Sequence, residues 1–371
     1  MIKIAIKIKL KISEIILCLT SQKNVISMFD LSCKYLGFQL KNPLIVGSSG
    51  LTSSIENLKT ISAMGAGAVV LKSIFEEQIK FETEKLINSD EPNIKSWQDA
   101  FNGIVSKNEY YHDEAYEYIT NFAKEHSLKQ YLTLISDAKK AIDIPVIASI
   151  HCSTQYDWQY FAKRIQDAGA DAVELNVYLL PSNFEKNSSE IEQVYFDIVK
   201  EVKKFITIPF SLKIGYYFSS LAQTALKLSE TGIAGLTLFN RPYNPDIDIN
   251  TLEVTSSNMY SSAPEYSHTL RWVALLAGKI KCNIAASTGI HNSETIIKQI
   301  LAGADAVQIV SLFYEKNFDV LPGILKDIEN WMTKHNYKSI NDFKGLLSHK
   351  NVHNPASYER VQFIKLYSNI V

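Results

Sequence analysis

The chain contains short apolar runs that each stop abruptly at a small, polar or charged residue. Runs that are apolar at almost every position are typical of parallel strands buried on both faces. Amphipathic stretches of helical length separate most of them, with apolar residues three and four positions apart. This alternation of strands and helices predicts an α/β fold, a (β/α)8 TIM barrel. The eight runs occupy residues 43–50, 68–73, 145–151, 171–176, 209–215, 235–241, 283–289 and 306–311.

An open, doubly wound sheet is the alternative arrangement for the same pattern. The sequence G-x-G-x-x-G does not follow the first run, so the main reason to prefer a dinucleotide-binding sheet is missing. Three runs are preceded by the glycine turns "AMGAGAVV", "DAGADAVEL" and "LAGADAVQI", where glycine is expected to end a helix with a positive φ. A long insertion, residues 74–144, follows the second strand, and a lid or an interface is the usual role of such an insertion.

Residues 28–345 are expected to form one barrel domain, between an N-terminal extension, residues 1–27, and a polar tail, residues 346–371. The extension alternates Lys with Ile, and charge interrupts it too often for a spanning helix, so no membrane span is expected. It lacks a small-residue cleavage site after its apolar part, so export is not expected either. An additional edge strand or an amphipathic surface segment is the alternative for this extension.

The overall composition indicates a small molecule as the partner. Apolar residues make up 46% of the chain, charged residues 21%, and the formal net charge is -1, so no global field favours nucleic acid or an anionic membrane. The 4 cysteines form no C-x-x-C pair, which argues against a zinc site and a disulfide framework and makes the cytoplasm the expected location. No metal-ligand spacing occurs among the histidines, so no metal is predicted. The sequence also leaves room for a homodimer.

The residues that end the runs are candidates for chemistry, because the active site of a barrel lies at the C-terminal ends of its strands. Lysines end the second and fifth runs, and a cation there needs an anionic partner unless it reaches solvent. Small residues end the seventh and eighth runs, where barrels commonly bind phosphate. Together these features favour flavin mononucleotide (FMN), with a lysine near N1 and O2 of its ring. The candidate cofactor-binding residues are Ser48, Ser49, Gly50, Lys72, Asn176, Lys213, Asn240, Ser287, Thr288, Gly289 and Ser311.

Two further residues follow the third run, His151 and Cys152. A lone histidine at a strand end can act as a base, but it is more often a hydrogen-bonded structural residue. No second cysteine or basic run lies near Cys152 in the sequence, so we expect an inert thiol.

Seven segments, in order along the chain, resemble the dihydroorotate dehydrogenase family and in particular its dihydroorotate dehydrogenase-like branch. They are "KNPLIVGSSG", "GAVVLKS", "ADAVELNVY", "LKIGYYFS", "FNRPYNPDIDINTLEV", "STGIHNSETIIKQILAGADAVQIVSLF" and "YKSINDFKG". The resemblance implies an FMN-dependent (β/α)8 oxidoreductase, in which Lys72 and Lys213 match two active-site lysines. It also implies that Asn176 and Asn240 contact flavin or substrate. Val310 stands where the family commonly has glycine, beside phosphate-binding turns that match Ser287, Thr288, Gly289 and Ser311.

The family carries its catalytic base, Cys or Ser, after the fourth strand in a segment typically written N-x-S-C-P-N. Here the corresponding segment is "NVYLLPSN", residues 176–183, and Leu179 occupies the place of the cysteine. Leucine cannot accept a proton, so about 10² to 10⁴ in rate would be lost without a substitute. Tyr178 is the best substitute by position, because a nearby lysine would lower its pKa, and ordinary packing is its alternative role. Ser182 and the long insertion are the other candidates.

Three functions therefore stay open. The first is oxidation of dihydroorotate or a close analogue, which contributes to pyrimidine synthesis. The second keeps the flavin and reduces an activated alkene, with Tyr178 as the proton donor. The third is a barrel that binds flavin or a phosphorylated ligand without turnover. The cysteine spacing does not suit an intrinsic iron-sulfur cluster.

Overall fold

The computed structural model describes residues 29–75, 110–152, 155–241, 244–256 and 258–360. Thirteen strands are present in this part of the chain. They are β1 (Cys33–Tyr35), β2 (Phe38–Leu40), β3 (Leu44–Val46), β4 (Ala68–Val70), β5 (Ile74–Phe75), β6 (Val146–His151), β7 (Ala172–Val177), β8 (Phe210–Ile214), β9 (Gly235–Leu238), β10 (Pro245–Asp248), β11 (Glu253–Ser256), β12 (Asn283–Ala286) and β13 (Ala306–Ile309).

Eight of these strands close into a parallel barrel in the order β4, β3, β13, β12, β9, β8, β7, β6, and β6 pairs with β4. Each predicted apolar run corresponds to one barrel strand, with β7 ending one residue beyond its run, so the (β/α)8 fold is confirmed and the open sheet is excluded. The two residues of β5 extend the edge beyond β4 and pair with the end of β6. The hairpin β10–β11 stands outside the barrel as a separate antiparallel pair.

Helices cover the outside of the barrel. They are α1 (Ile55–Ala63), α2 (Tyr110–Ala141), α3 (Gln155–Asp167), α4 (Ser188–Phe205), α5 (Leu221–Glu230), α6 (Tyr266–Leu276), α7 (Ser293–Ala302), α8 (Ser311–Lys316), α9 (Leu321–His335) and α10 (Ala356–Glu359). The three predicted turn glycines have positive φ angles, +98° at Gly65, +96° at Gly169 and +118° at Gly303. These turns therefore repeat the strand–helix unit, as predicted, and none of them lines the barrel mouth.

The barrel interior changes from apolar at the bottom to polar at the top. The antiparallel hairpin β1–β2 closes the bottom, where Tyr35 is buried against small strand residues such as Ala68 and Ala306. Alternate residues of a strand share one face, and two positions further along several of the strands the interior side chains are polar. This polar layer consists of Ser149, Glu174, Ser211, Thr237 and Gln308, all fully buried.

The long insertion after the second barrel strand is confirmed, and it returns to the barrel through α2. Leu128, Ile135 and Ala138 of this helix are buried in the core cluster that also contains Leu58 of α1. The role of the insertion as a lid or an interface stays a prediction. None of the described helices combines the length and the apolar character that a bilayer crossing requires.

The predicted ends of the domain are described only in part. The extension, residues 1–27, lies outside the described residues. Of the predicted tail, residues 346–360 are described, and they return to the barrel helices: the backbone N–H of Leu347 donates to the carbonyl of Leu301 (2.8 Å) and that of His349 to Ala274 (2.9 Å). The boundary at residue 345 stays a prediction.

Candidate active site

A cavity of about 530 Å³ opens at the C-terminal ends of β3, β8, β9, β12 and β13. It contains every predicted cofactor-binding residue except Lys72 and Asn176. The strand ends thus bring together in one place residues that are up to 263 positions apart, from 48 to 311. Its lining comprises Ser48, Ser49, Gly50, Lys213, Phe239, Asn240, Arg241, Met259, Tyr260, Ser261, Ser287, Thr288, Gly289, Ile290, Gln308, Val310, Ser311 and Tyr314.

A larger groove of about 800 Å³ lies between α2 and α3, away from the strand ends. Its charged residues are exposed and pair with one another across the surface, as Arg164 does with Glu125 at 2.8 Å. Exposed ion pairs are ordinary on helix surfaces and are no sign of a ligand site. We therefore place the candidate site at the barrel mouth, where buried polar side chains line the cavity.

The turn after β12 has a tight backbone conformation that requires glycine at position 289. Thr288 and Gly289 have consecutive positive φ angles of +77° and +74°, and the hydroxyl of Thr288 donates to the carbonyl of Phe239 at 3.1 Å. A Cβ on Gly289 would lie 2.1 Å from the backbone nitrogen of Tyr266, at the start of α6. The missing side chain therefore lets this turn lie directly against the helix.

Ser311, which begins α8, is tied to a segment that follows the hairpin β10–β11. The backbone N–H of Ser261 donates to the hydroxyl of Ser311 at 3.0 Å, and the Ser261 hydroxyl donates to the same oxygen at 3.0 Å. His291 Nε2 is 3.3 Å from the Ser261 hydroxyl, and His291 Nδ1 is 3.5 Å from Glu315 Oε2. These contacts fix the hydroxyl groups at the end of the cavity formed by β12 and β13.

Arg241 follows β9 and closes another part of the rim. Its Nε donates to Glu265 Oε2 at 3.1 Å, and its Nη1 donates to the carbonyl of Met259 at 3.0 Å. Burial opposes ionisation of Glu265, but hydrogen bonds from Ser262 and from Arg241 outweigh it and lower the pKa of this carboxyl group. Arg241 thus holds the segment after the hairpin against the barrel mouth.

The ammonium group of Lys213 lies at the floor of the cavity and is buried. Its Nζ is 3.3 Å from Gln308 Oε1 and 3.8 Å from Glu174 Oε1. An ammonium group has three donors, and among the described residues only Gln308 accepts one of them at hydrogen-bond distance. The remaining donors are available to a ligand in the cavity.

Asn176 lies beside the cavity and is linked to it through Asn240. The side-chain nitrogen of Asn240 donates to Asn176 Oδ1 at 2.9 Å. The backbone carbonyl of Asn176 is 2.7 Å from His151 Nδ1, so Nδ1 carries the proton and donates it, and Nε2 is left as an acceptor in the neutral ring. Both predicted asparagines are therefore fixed by hydrogen bonds, and so is the imidazole of His151.

Lys72 lies just beyond β4 and is half-buried. It does not line the cavity, and it forms no ion pair within the described part of the chain. Its neighbour Ser73 joins two strand ends, because its hydroxyl is 3.1 Å from that of Ser48 and 2.6 Å from that of Ser149. The two predicted lysines therefore occupy different environments.

The described surroundings of Tyr178 do not lower its pKa, and its role as the base stays a prediction. Burial raises the pKa of Tyr178 above its ordinary value, and the neighbouring Tyr217 and Tyr216 raise it further. The Tyr178 and Tyr217 rings meet edge to face with centroids 6.2 Å apart, and a Cβ on Gly215 would lie 2.8 Å from the Tyr178 ring. The described neighbours of this hydroxyl are aromatic, and none of them favours the phenolate that a base requires.

The other residues of the loop after β7 also lie away from the cavity. Leu179 packs against the core cluster on the outside of the barrel, and its backbone N–H donates to the Tyr195 hydroxyl at 3.4 Å. Ser182 is exposed. Outside this loop, Cys152 directly follows β6 and is buried. The described part of this loop therefore places no proton acceptor where the family has its cysteine.

Several residues at or near the cavity were not predicted from the sequence, among them the polar residues Glu174, Gln308, Ser261 and His291. Glu174 was detectable, since it is a charged residue inside the apolar run "DAVELN", and Gln308 interrupts "AVQIVS" in the same way. Ser261 and His291 had no comparable signal, because only the fold brings Ser261 to Ser311 and His291 to Ser261. Buried strand positions that break an apolar run are thus the part of this site that a closer sequence analysis could have found.

A sequence model of the family described as dihydroorotate dehydrogenase matches residues 30–332. A protein of Aeropyrum pernix named putative dihydroorotate dehydrogenase A (fumarate) is 29% identical over 218 residues, 57% of this chain and 70% of its own length. The catalytic subunit of dihydroorotate dehydrogenase B (NAD(+)) of Thermoplasma acidophilum is 28% identical over 325 residues, 86% of this chain and 99% of its own. The corresponding subunit of Pyrococcus abyssi is 25% identical over 320 residues, 85% and 98% of the two chains. This chain therefore belongs to the dihydroorotate dehydrogenase family of oxidoreductases that act on CH–CH groups.

Proposed function

We propose that this chain binds FMN in the cavity at the barrel mouth and oxidises dihydroorotate or a close analogue, a step of pyrimidine synthesis. The observation that carries the proposal is the cavity itself, in which a buried lysine with spare donors faces turns built from Ser, Thr and Gly. The names of the relatives support dihydroorotate as the first substrate to test.

The residues of the cavity fit FMN on two grounds. Lys213 supplies a fixed positive charge, which favours a ring whose N1 and O2 edge gains negative charge. At the other end Ser287, Gly289 and Ser311 offer hydroxyl and backbone N–H groups suited to a phosphate. Bound FMN would supply hydride transfer, which no side chain can perform.

The remaining residues would bind and orient the substrate. Asn176 and Asn240 are joined by a hydrogen bond, so one amide fixes the other and both present defined donors and acceptors. His151 is our proposed proton acceptor in place of the family's cysteine. Its Nδ1 donates to the Asn176 carbonyl, and Nε2 has no hydrogen bond to the described residues, so it can accept a proton. Tyr178 has no such role in this proposal.

The cofactor is tested on the purified full-length chain. We expect a yellow protein that releases FMN, identified by mass, when it is denatured. A colourless protein that takes up no added FMN would contradict the proposal at its base. The substrate is tested next, without oxygen, by following loss of flavin absorbance after addition of dihydroorotate, so that the unknown electron acceptor has no influence.

A second candidate is the same flavin site with a different small substrate. It is favoured by one observation, that Leu179 packs against the outer core and leaves the family's base position without an acceptor. In that case dihydroorotate would not bleach the flavin, whereas chemically reduced flavin would be reoxidised by an activated alkene. Leu179→Cys would then raise the rate with dihydroorotate if the substrate pocket of the family is otherwise retained.

The homodimer and the cytoplasmic location stay predictions. A second copy would find an apolar surface on the hairpin β10–β11, where Ile247 and Val254 pair across the two strands and are 65% and 74% exposed. An isolated two-stranded hairpin is only marginally stable in water, so coverage by a symmetry-related hairpin would stabilise it. Light scattering of the wild type and of Val254→Lys tests this, and a monomeric wild type would exclude it.

A further inference from the structure

Glu174 is a buried carboxylate below the floor of the cavity. It lies in the middle of β7, two residues before Asn176, and its exposed fraction is 0%. Alternate residues of a strand share one face, so Glu174 and Asn176 both face the interior, with Glu174 deeper. A charged side chain in this position needs compensation, because an unpaired buried charge costs several kcal/mol.

The two oxygens of Glu174 have different partners. Oε2 accepts hydrogen bonds from Gln308 Nε2 at 2.5 Å and from the Thr237 hydroxyl at 3.0 Å. Oε1 is buried and accepts no hydrogen bond from the described residues, and it lies 3.8 Å from Lys213 Nζ. The open side of the carboxylate therefore faces the ammonium group.

Gln308 connects the two charges. Its Oε1 accepts from Lys213 at 3.3 Å while its Nε2 donates to Glu174. The reverse orientation of the amide would set its donors against the ammonium group and its oxygen against the carboxylate, so the charges fix the amide. Glu174, Gln308 and Lys213 thus form a closed arrangement in which Lys213 and Gln308 line the cavity and Glu174 lies beneath them.

We propose that Glu174 is a positioning residue, which holds the Lys213 ammonium group at the cavity floor and offsets part of the positive charge that a bound flavin experiences. This inference rests on the proposed FMN function. A lysine without this carboxylate would stabilise the added negative charge of reduced FMN more strongly. Glu174 would thereby set the reduction potential from below the cofactor, without touching it.

The first test measures the charge pair in the full-length chain with the flavin removed. Lys213→Met leaves the carboxylate unpaired, and we expect its folding equilibrium constant, from urea unfolding, to fall about 100-fold or more. Adding Glu174→Gln should recover at least about tenfold of that loss, although the same substitution destabilises the wild type. If Lys213→Met does not fold, recovery of soluble protein in the double variant supports the pair. The inference would be overturned if the two substitutions lowered the folding equilibrium constant by independent factors that multiply, or if Glu174→Gln recovered none of the stability lost in Lys213→Met.

The second test measures the reduction potential of the FMN-bound protein. Glu174→Gln removes a negative charge, so reduced FMN should be bound about tenfold more tightly relative to oxidised FMN, a rise of about 30 mV for a two-electron couple. Thr237→Val is the matched control, because it removes a hydrogen bond to the same carboxylate without changing a charge, and its potential should equal that of the wild type. An unchanged or lowered potential in Glu174→Gln would overturn the inference. A wild type that binds no flavin would instead contradict the proposed function and leave the unfolding test of the pair intact.

Discussion

The two sides of the barrel mouth are built differently. On the side of β8, β9, β12 and β13 a cavity has formed, with Lys213 at its floor and the turn at Gly289 on its rim. On the side of β4, β6 and β7 stand His151, Lys72 and Tyr178, and none of them lines that cavity. The side proposed to bind FMN, here called the cofactor side, is thus preformed. The opposite side, here called the substrate side, depends on groups fixed outside the cavity.

The connections after β12 and β13 differ from those after β5 and β7. Short turns follow β12 and β13, and their backbone is fixed by close contacts such as that between Gly289 and Tyr266. Long connections follow β5 and β7, and every residue of the segment 180–190 is exposed. Long surface loops tolerate substitution more readily than tight turns. A change at Leu179 can therefore alter the reaction while the cofactor side stays intact.

The largest effect is expected on the cofactor side, from Gly289→Ala. The new Cβ would meet the backbone nitrogen of Tyr266 at 2.1 Å, and alanine disfavours a φ of +74°. We expect a loss of about 2 to 4 kcal/mol in the free energy of unfolding, together with loss of bound FMN. Urea unfolding and flavin content measure the two effects.

Gly323→Ala is the matched control for this substitution. Gly323 lies in the first turn of α9, and a Cβ there would meet nothing within 4 Å. Alanine favours a helix by about 0.5 to 1 kcal/mol over glycine, so this variant should be slightly stabilised and keep its flavin. Equal behaviour of the two variants would mean that the turn at Gly289 is not closely packed.

The fold could be predicted from the sequence because its pattern is local. Seven of the eight barrel strands lie inside the predicted apolar runs, β7 extends one residue beyond its run, and the turn glycines have the expected positive φ. The cofactor side was predictable for the same reason, since its residues directly follow strands. The hydrogen bond between Ser261 and Ser311 could not be predicted, because it joins segments that only the closed barrel brings together.

The two lysines give the next largest effect and sharpen the comparison. Lys213 lines the cavity and Lys72 does not, although both match active-site lysines of the family. We expect Lys213→Met to weaken FMN binding about tenfold to a hundredfold, as for loss of a charged hydrogen bond, and Lys72→Met to weaken it less than about threefold. Isothermal titration with FMN measures both.

The FMN affinities of the two lysine variants can be compared only if the barrel stays folded in both. Lys213→Met also leaves Glu174 unpaired, so the affinity should be measured again with Glu174→Gln present. Weak FMN binding that persists in the double variant belongs to the lost ammonium group. Equal losses for Lys72→Met and Lys213→Met would show that the flavin extends to both sides of the mouth.

The site residues on the substrate side were harder to predict. Sequence position suggested a lysine beside Tyr178, whereas its neighbours are Tyr216 and Tyr217. Tyr216 and Tyr217, which follow β8 after Gly215, were visible in the sequence. The direction in which their side chains point was not, because side chains of a turn can face either the mouth or the helices. A pKa depends on such three-dimensional neighbours, and spacing along the chain does not give them.

A third test concerns His151, the proposed proton acceptor on the substrate side. His151→Gln keeps a hydrogen-bond donor for the Asn176 carbonyl but removes the acceptor nitrogen. We expect flavin bleaching by substrate to slow about 10²- to 10⁴-fold, as for loss of a general base, with FMN affinity and stability nearly unchanged. A rate close to that of the wild type would exclude His151 and move the search to the insertion.

The smallest effect is expected from Tyr178→Phe. Burial and two neighbouring tyrosines raise the pKa of Tyr178, so its hydroxyl stays protonated at neutral pH, and the rate of bleaching should change less than about threefold.

A group whose pKa is raised in the folded state contributes stability that is full below its unfolded pKa, about 10, and is lost as the pH rises above it. The wild type should therefore lose stability more steeply than Tyr178→Phe above about pH 10, while the two proteins behave alike between about pH 7 and 9. Tyr314→Phe, which removes a hydroxyl on the cofactor side of the mouth, serves as a comparison in the alkaline unfolding series. A loss of rate of 100-fold in Tyr178→Phe would return the proton transfer to this tyrosine and remove the distinction between the two sides.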